Sequence, residues 1–216
     1  MENQEEQNSK EQQAKQPEQS EQPSQKPIQS QNKERIAIFI DGSNFYHDLK
    51  RNNFKHVSLK HVVQGLAKGR QIVSIFYYTA ALGRTDRRAY YAHRTFFHIL
   101  SRIPQLRIVY CRLKKTIDKD NKVRFEVKGD DIHLANDLLV GAYENFYDIA
   151  ILVSGDEDFI PVVKTLKKLH KKVENGYFRK SSSHRLRKIC NTSINMRVLI
   201  LEMEKLRRNQ KAPPSG

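Results

Sequence analysis

The chain has 216 residues and a formal net charge of +15, enough for one domain of ordinary size with tails. Residues 1–34 hold seven acids and four bases, a charge of −3, so the remainder carries +18. A body that basic suits a polyphosphate partner, while the lack of any long apolar run or apolar leader argues against a membrane span or secretion and for the cytoplasm.

Residues 1–33 are nearly all Gln, Glu, Ser, Lys, Asn and Pro. Such a segment has too little apolar surface to offset the entropy of ordering, and reads as a disordered extension available to a protein partner. Ile36 to Ile40 is a continuous apolar run, the mark of a strand buried on both faces. Asp41-Gly42 ends it, and Ser43 is a candidate N-cap for a helix through about Arg51. A second helix is predicted from Ser58 to Lys68, a strand over Gln71 to Ala80, and a long helix over Arg84 to Arg102 that Pro104 stops. Leu106 to Leu113 reads as the third strand. The polar turn Thr116 to Lys122 and the short strand Val123 to Val127 predict a hairpin.

A helix follows from Asp130 to about Glu144, with Ile132, Ala135, Leu139 and Ala142 on its apolar face. Asp148 to Val153 is the next buried strand, and Asp158 to Lys171 the next helix, with Pro161 in its first turn. Lys172 to Phe178 is a weaker strand, and Ser181-Ser-Ser183 caps a helix to Cys190. Met196 to Leu201 is predicted as a last edge strand, with Glu202 to Asn209 a short charged helix. Strands alternating with helices imply βαβ units, hence an α/β three-layer sandwich around a mainly parallel sheet. The folded domain is expected over 34–208, between tails at 1–33 and 209–216. Cys111 and Cys190 have no metal-ligand spacing and read as buried free thiols.

Three polar clusters carry the chemistry. Asp41-Gly-Ser-Asn44 and Ser154-Gly-Asp156-Glu-Asp158 each end a buried strand. In an open parallel sheet the carboxyl ends of the strands line the ligand crevice. Lys128-Gly-Asp130-Asp131 opens a helix that carries Asp137 further on. Asp130 and Asp137, seven apart, share a helix face two turns from each other, so one helix cannot bring Asp130, Asp131 and Asp137 to a single ion. Clustered carboxylates repel unless a cation or basic neighbour intervenes. The oxygen-rich set suits Mg²⁺ or Mn²⁺ better than Zn²⁺, and His133 is then a surface residue. Asp158 is either a ligand or a helix cap; Lys128 neutralises a phosphate or a carboxylate.

Taken together the motifs resemble the NYN domains, in particular their LabA-like members within the PIN-like nuclease set. The resemblance runs from about Arg35 to Leu201 and rests on Ile-Asp-Gly-Ser-Asn at 40–44, Lys128-Gly-x-Asp131 with Asp137 downstream, and Val-Ser-Gly-Asp-Glu-Asp-Phe at 153–159 with Pro161. It implies a PIN-like sandwich and divalent-metal-dependent cleavage of RNA, and leaves internal and terminal cutting open, with an endoribonuclease the first expectation. The acidic site it implies falls on Asp41, Asp131 or Asp137, and Asp156, with Asn44 and Asp158 in support and Ser154 beside them. The residue before Asp131 is usually apolar in that family, and here it is Asp130. Candidate phosphate contacts are Arg84, Arg87, Arg88, Lys114, Lys115, Lys128, Arg179, Lys180 and Arg185; Tyr46, Tyr78 and Phe159 are candidates to stack a base, with core packing the competing fate of the last two.

A non-catalytic RNA-binding module is the main alternative, since it would keep the basic surface without turnover. A haloacid-dehalogenase-type phosphatase needs a second Asp where Ser43 stands. No G-x-G-x-x-G follows the first strand, which disfavours a dinucleotide site, and Phe45 breaks the Asp-x-Ser-x-Ser pattern of an adhesion-type metal site.

Overall fold

The computed structural model describes residues 33–54, 56–80, 87–117, 121 and 123–211. Residues 1–32 of the expected tail, Arg84 and most of the turn after Ile117 lie outside the described residues. In chain order the elements are β1 (Arg35–Asp41), α1 (Gly42–Arg51), α2 (Leu59–Ala67), β2 (Gln71–Ala80), α3 (Arg87–Leu100), β3 (Leu106–Ile117), β4 (Val123–Lys128) and α4 (Asp130–Tyr143). Then come β5 (Ile149–Val153), a 3₁₀ turn (Glu157–Phe159), α5 (Ile160–Lys168), β6 (Lys172–Tyr177), α6 (His184–Ile189), β7 (Thr192–Asn195) and α7 (Met196–Lys211).

The seven strands form one sheet in the order β4-β3-β2-β1-β5-β6-β7. All neighbours are parallel except β3 and β4, which form the predicted hairpin. From β1 the chain builds outward to β2 and β3 on one side, and later returns to lay β5 on the other. The crevice at the carboxyl ends of β1 and β5 is therefore a topological switch point.

Strand alternation makes two cores. Ile36, Ile38 and Ile40 of β1 face one way and pack with α1, α2, the end of α3 and α7. Ala37 and Phe39 face the other way and pack with α4, α5 and α6. Every residue from Ile36 to Ile40 is at most 1 % exposed, as a strand covered on both faces requires. The three-layer α/β sandwich expected from the sequence is the fold observed.

Three local expectations need correction. Met196 to Leu201 is helical, not a strand; the edge strand is Thr192–Asn195, paired with β6. Asn195 ends that strand and its Oδ1 accepts from the backbone N–H groups of Arg197 (3.1 Å) and Val198 (3.4 Å), starting α7. Met196, Leu199, Ile200 and Met203 then meet the core at helical spacing. On α4, Ala135, Leu139 and Ala142 pack in the core as expected, together with Leu134 and Leu138, but Ile132 is 74 % exposed. At 100° per residue Ile132 lies on the opposite side of the helix from Leu134. Finally, α1 is capped by Asp41 and not by Ser43.

Gly42 has a steric cause. A Cβ built on it would lie 2.4 Å from the Tyr78 carbonyl oxygen and 2.6 Å from the Tyr77 ring. Gly42→Ala should destabilise the fold by about 1–3 kcal/mol through overpacking, read as a lower urea midpoint at unchanged slope.

Candidate active site

Asp41 is the last residue of β1 and is 1 % exposed. Its Oδ1 accepts from the Asn44 backbone N–H at 3.0 Å, which caps α1. Its Oδ2 accepts from the Asn44 side-chain amide and from the Ser154 hydroxyl, the latter at 3.1 Å. Ser154 follows β5, and Ile40 pairs with Val153, so the two strand ends arrive level with each other. The Ser154 Oγ also accepts from the Asp156 backbone N–H at 3.2 Å. Asp41, Ser154 and Asp156 are thus linked across the switch point by one hydroxyl.

Asp156 caps the 3₁₀ turn, its Oδ1 accepting from the Asp158 N–H at 3.0 Å. The cap considered for Asp158 is therefore supplied by Asp156, and Asp158 is exposed. The third cluster enters on α4. Gly129, at φ 82°, turns the chain from β4 into this helix, with Asp130 and Asp131 in its first turn. Asp130 is 9 % exposed and accepts from the Ser43 hydroxyl at 3.2 Å. Asp131 stands at the open rim. Asp137, two turns on, accepts from the Tyr78 hydroxyl at 2.9 Å.

Electrostatics tie four further acids to Asp131. Its carboxyl is pushed up to about 6, by the protein packed around it and then by the charges of Asp130, Asp41, Asp156 and Asp158. Asp41 is raised by burial, opposed by its bonds from Asn44 and Ser154 and reinforced by the charge of Asp130. Burial and the same acids push the Cys111 thiol up to about 11, which leaves it protonated and unreactive at neutral pH. Among the described residues, no three His, Cys, Asp or Glu side chains form a ready-made metal-ligand group. The donor set is nonetheless all oxygen and anionic, which fits a hard divalent cation held by one or two carboxylates and several waters.

A supporting layer was not read from the sequence. Asn175, fully buried on β6, donates its amide to the carbonyls of Leu152 (3.0 Å) and Ser154 (2.9 Å), fixing the end of β5. Gly155 lies against the loop after β6, where an added Cβ would meet the Ser181 carbonyl oxygen at 2.5 Å. Asp48 on α1 is 4 % exposed and raised by burial, eased by Ser181 and by Arg51, whose guanidinium lies 3.4 Å away. No sequence signal marked Asn175 or Asp48, since neither lies in a motif.

Of the basic candidates, Lys114, Lys115, Lys128, Arg179, Lys180 and Arg185 are all exposed. Arg179 and Lys180 sit on the loop after β6, on the side of the sheet where the acids lie. Arg185 lies 3.8 Å from Glu157. Arg87 and Arg88 begin α3, with side chains outside the described set. Tyr46 is 61 % exposed and free to stack, whereas Tyr78 (0 %) and Phe159 (2 %) are core residues.

The family profile of the NYN domain matches residues 35–200. The chain belongs to the NYN domain family. NYN domains are PIN-like and nuclease-related, and they are generally associated with RNA. The NYN fold here is similar to that of VPA0982, a protein of unknown function from Vibrio parahaemolyticus RIMD 2210633, with TM-score 0.60 and 24 % identity over 77 % of this chain and 95 % of that one. At that identity the likeness speaks for the fold alone. A putative oxidoreductase from Parabacteroides merdae ATCC 43184 matches at TM-score 0.29 and 10 % identity over 82 % of this chain and 30 % of that one, too weak to carry an argument. No curated protein matches the chain significantly. Among the described residues, no helix of this NYN domain is long and apolar enough to cross a membrane.

The acid crowding has a stability consequence. A carboxyl raised from 3.8 to about 6 opposes folding increasingly as pH climbs through that interval, and fully above it. Asp131→Asn should therefore stabilise the metal-free domain at pH 7 by on the order of 1 kcal/mol, after discounting for solvent screening. Below about pH 4 the gain should vanish. Urea denaturation in EDTA at the two pH values measures it.

Proposed function

We propose that this NYN domain is a divalent-metal-dependent ribonuclease that hydrolyses phosphodiester bonds within RNA strands. The observation that carries the reading is the meeting of acids from three separate segments at one switch point, with Asp131 under the combined field of Asp130, Asp41, Asp156 and Asp158. A folding role alone does not account for so many like charges at one rim.

In this reading Asp41, Asp131 and Asp156 would hold Mg²⁺ or Mn²⁺, largely through waters, with Asp158 and Asp130 adding negative charge. Such an ion supplies a hydroxide at neutral pH and neutralises charge that builds on the scissile phosphate. Ser154 and Asn44 orient the carboxylate of Asp41 by donating to it. Ser43 does the same for Asp130. The bond from Tyr78 engages one oxygen of Asp137, which leaves Asp131 as the better-placed helix acid. Lys128, Arg179 and Lys180 flank the crevice and would bind the phosphates on either side of the cut.

The competing reading, an RNA-binding module without turnover, draws on one observation: among the described residues the acids are not already gathered as a ligand group. A labelled RNA incubated with Mn²⁺, with Mg²⁺ and with EDTA separates the two. Cleavage that requires the ion supports the nuclease; binding without cleavage in any of the three supports the module.

Asp41→Asn and Asp156→Asn should each lower Mn²⁺-dependent cleavage by more than about a hundredfold, because loss of outer-shell partners alone costs 10–100-fold. Circular dichroism should be unchanged for both. Full cleavage by both variants in metal-replete buffer would show that the site lies elsewhere.

A further inference from the structure

The ends of β3 and β4 stand apart from the acid site yet lead straight into it. Val109 of β3 is level with Tyr78 of β2, and Tyr78 with Asp41 of β1. β3 continues eight residues further, to Ile117. At about 3.3 Å per residue, it rises on the order of 25 Å beyond the rim that bears Asp41. β4 returns alongside, pairing Val123 with Ile117, Phe125 with Lys115, Val127 with Leu113 and Lys128 with Arg112. One residue later Gly129 turns the chain into Asp130 and Asp131. The hairpin is thus an arm projecting from the edge of the sheet, continuous with the acid crevice at its base.

Its two faces differ. Val109, Cys111 and Val127 pack in the core layer that holds α4. By strand alternation Leu113, Lys115, Ile117, Phe125 and Val123 share that side. Leu113 and Val127 at the base are half-buried, but Phe125 is 49 %, Val123 48 % and Ile117 64 % exposed. Single exposed apolar residues are ordinary, but three paired along an edge ribbon, with a lysine opposite the phenylalanine, form a surface with a use. The other face carries the exposed Arg112 and Lys114.

An exposed ring with a lysine level with it on the same face of a ribbon can take unpaired nucleic acid, a base stacking on the ring while the lysine meets a phosphate. A duplex hides its base faces and could use only the charges. We propose that this arm is a docking ledge for a single-stranded segment of the RNA, with Phe125 stacking a base several nucleotides from the acids and Lys115, level with it on the same face, contacting the backbone. The proposal rests on the ribonuclease reading for where the strand is cut, but its measurement does not need cutting.

The test is fluorescence anisotropy of the full chain in EDTA, with a labelled mixed-sequence single-stranded RNA 12-mer and with the same sequence as a blunt duplex. Phe125→Ala should weaken single-strand binding about tenfold or more, the loss expected from one base–aromatic stack, and change duplex binding less than about twofold. Phe125→Trp should restore the single-strand affinity. Lys115→Ala should reduce the slope of log affinity against log salt by about 0.7 for the single strand. Thermal melting should be unaltered for Phe125→Ala, since the ring is half exposed. Unchanged single-strand affinity, or equal losses for strand and duplex, overturns the ledge. So does a change in molar mass by light scattering with RNA affinity intact, which would make the arm a protein interface. Cleavage with Mn²⁺ is scored separately on the same 12-mer. Phe125-dependent binding without cleavage sinks the ribonuclease and keeps the ledge; cleavage with Phe125-independent binding does the reverse.

Discussion

The arrangement depends on keeping one buried carboxylate in place. Asp41 is 1 % exposed at the end of a strand covered on both faces. A charge there loses its hydration and must recover it from protein donors. Three are supplied: the Asn44 backbone N–H, the Asn44 side-chain amide and the Ser154 hydroxyl. Each donor needs its own support. The Asn44 N–H is available because α1 begins at Gly42, where the close approach of the Tyr78 carbonyl leaves no room for a Cβ. Ser154 is in reach because Asn175 bonds the carbonyls of Leu152 and Ser154 and so holds the end of β5. The supports for a single carboxylate therefore reach from β2 to β6.

The same reasoning explains the distribution of charge. The chain carries +15, yet around its switch point the acids Asp41, Asp130, Asp131, Asp156 and Asp158 act on one another. A broad positive field draws in a polyanion and holds it along the surface. A small negative spot within that field repels phosphate unless a cation lies between them. The ribonuclease proposed above would reconcile the two features, binding a strand through its flanking phosphates and placing a metal ion at one of them.

The sequence revealed most where burial left few alternatives. Continuous apolar runs at Ile36–Ile40 and Ile149–Val153 can only be central strands, and the acids that end them fall at the crevice by topology. Legibility failed where the choice rested on tertiary partners. Either Asp41 or Ser43 could cap α1, and what decided it is that Ser43 donates instead to Asp130 on α4, 87 residues away. The run Met196 to Leu201 suits strand or helix alike until Asn195 caps it. On α4 only Ile132 departs from the expected face, because it is apolar and yet exposed. Asn175 and Asp48 carry no motif, and their roles exist only once β5, β6 and α1 are brought together.

The acids on α4 show how local physics makes such crowding tolerable. Asp130 and Asp131 occupy the first turn of a helix whose N-cap, Gly129, has no side chain to offer. The free N–H groups there carry the positive end of the helix dipole, which favours negative charge within that turn. The dipole thus offsets part of the repulsion that pushes Asp131 up to about 6. Asp137 is two turns further along, beyond that influence, and is held instead by the phenol of the fully buried Tyr78. One helix therefore gives its first turn to the crevice and its third to the core. That division sets Asp130 and Asp131 in the first turn apart from Asp137, which is half-buried and tied through one oxygen to the Tyr78 phenol.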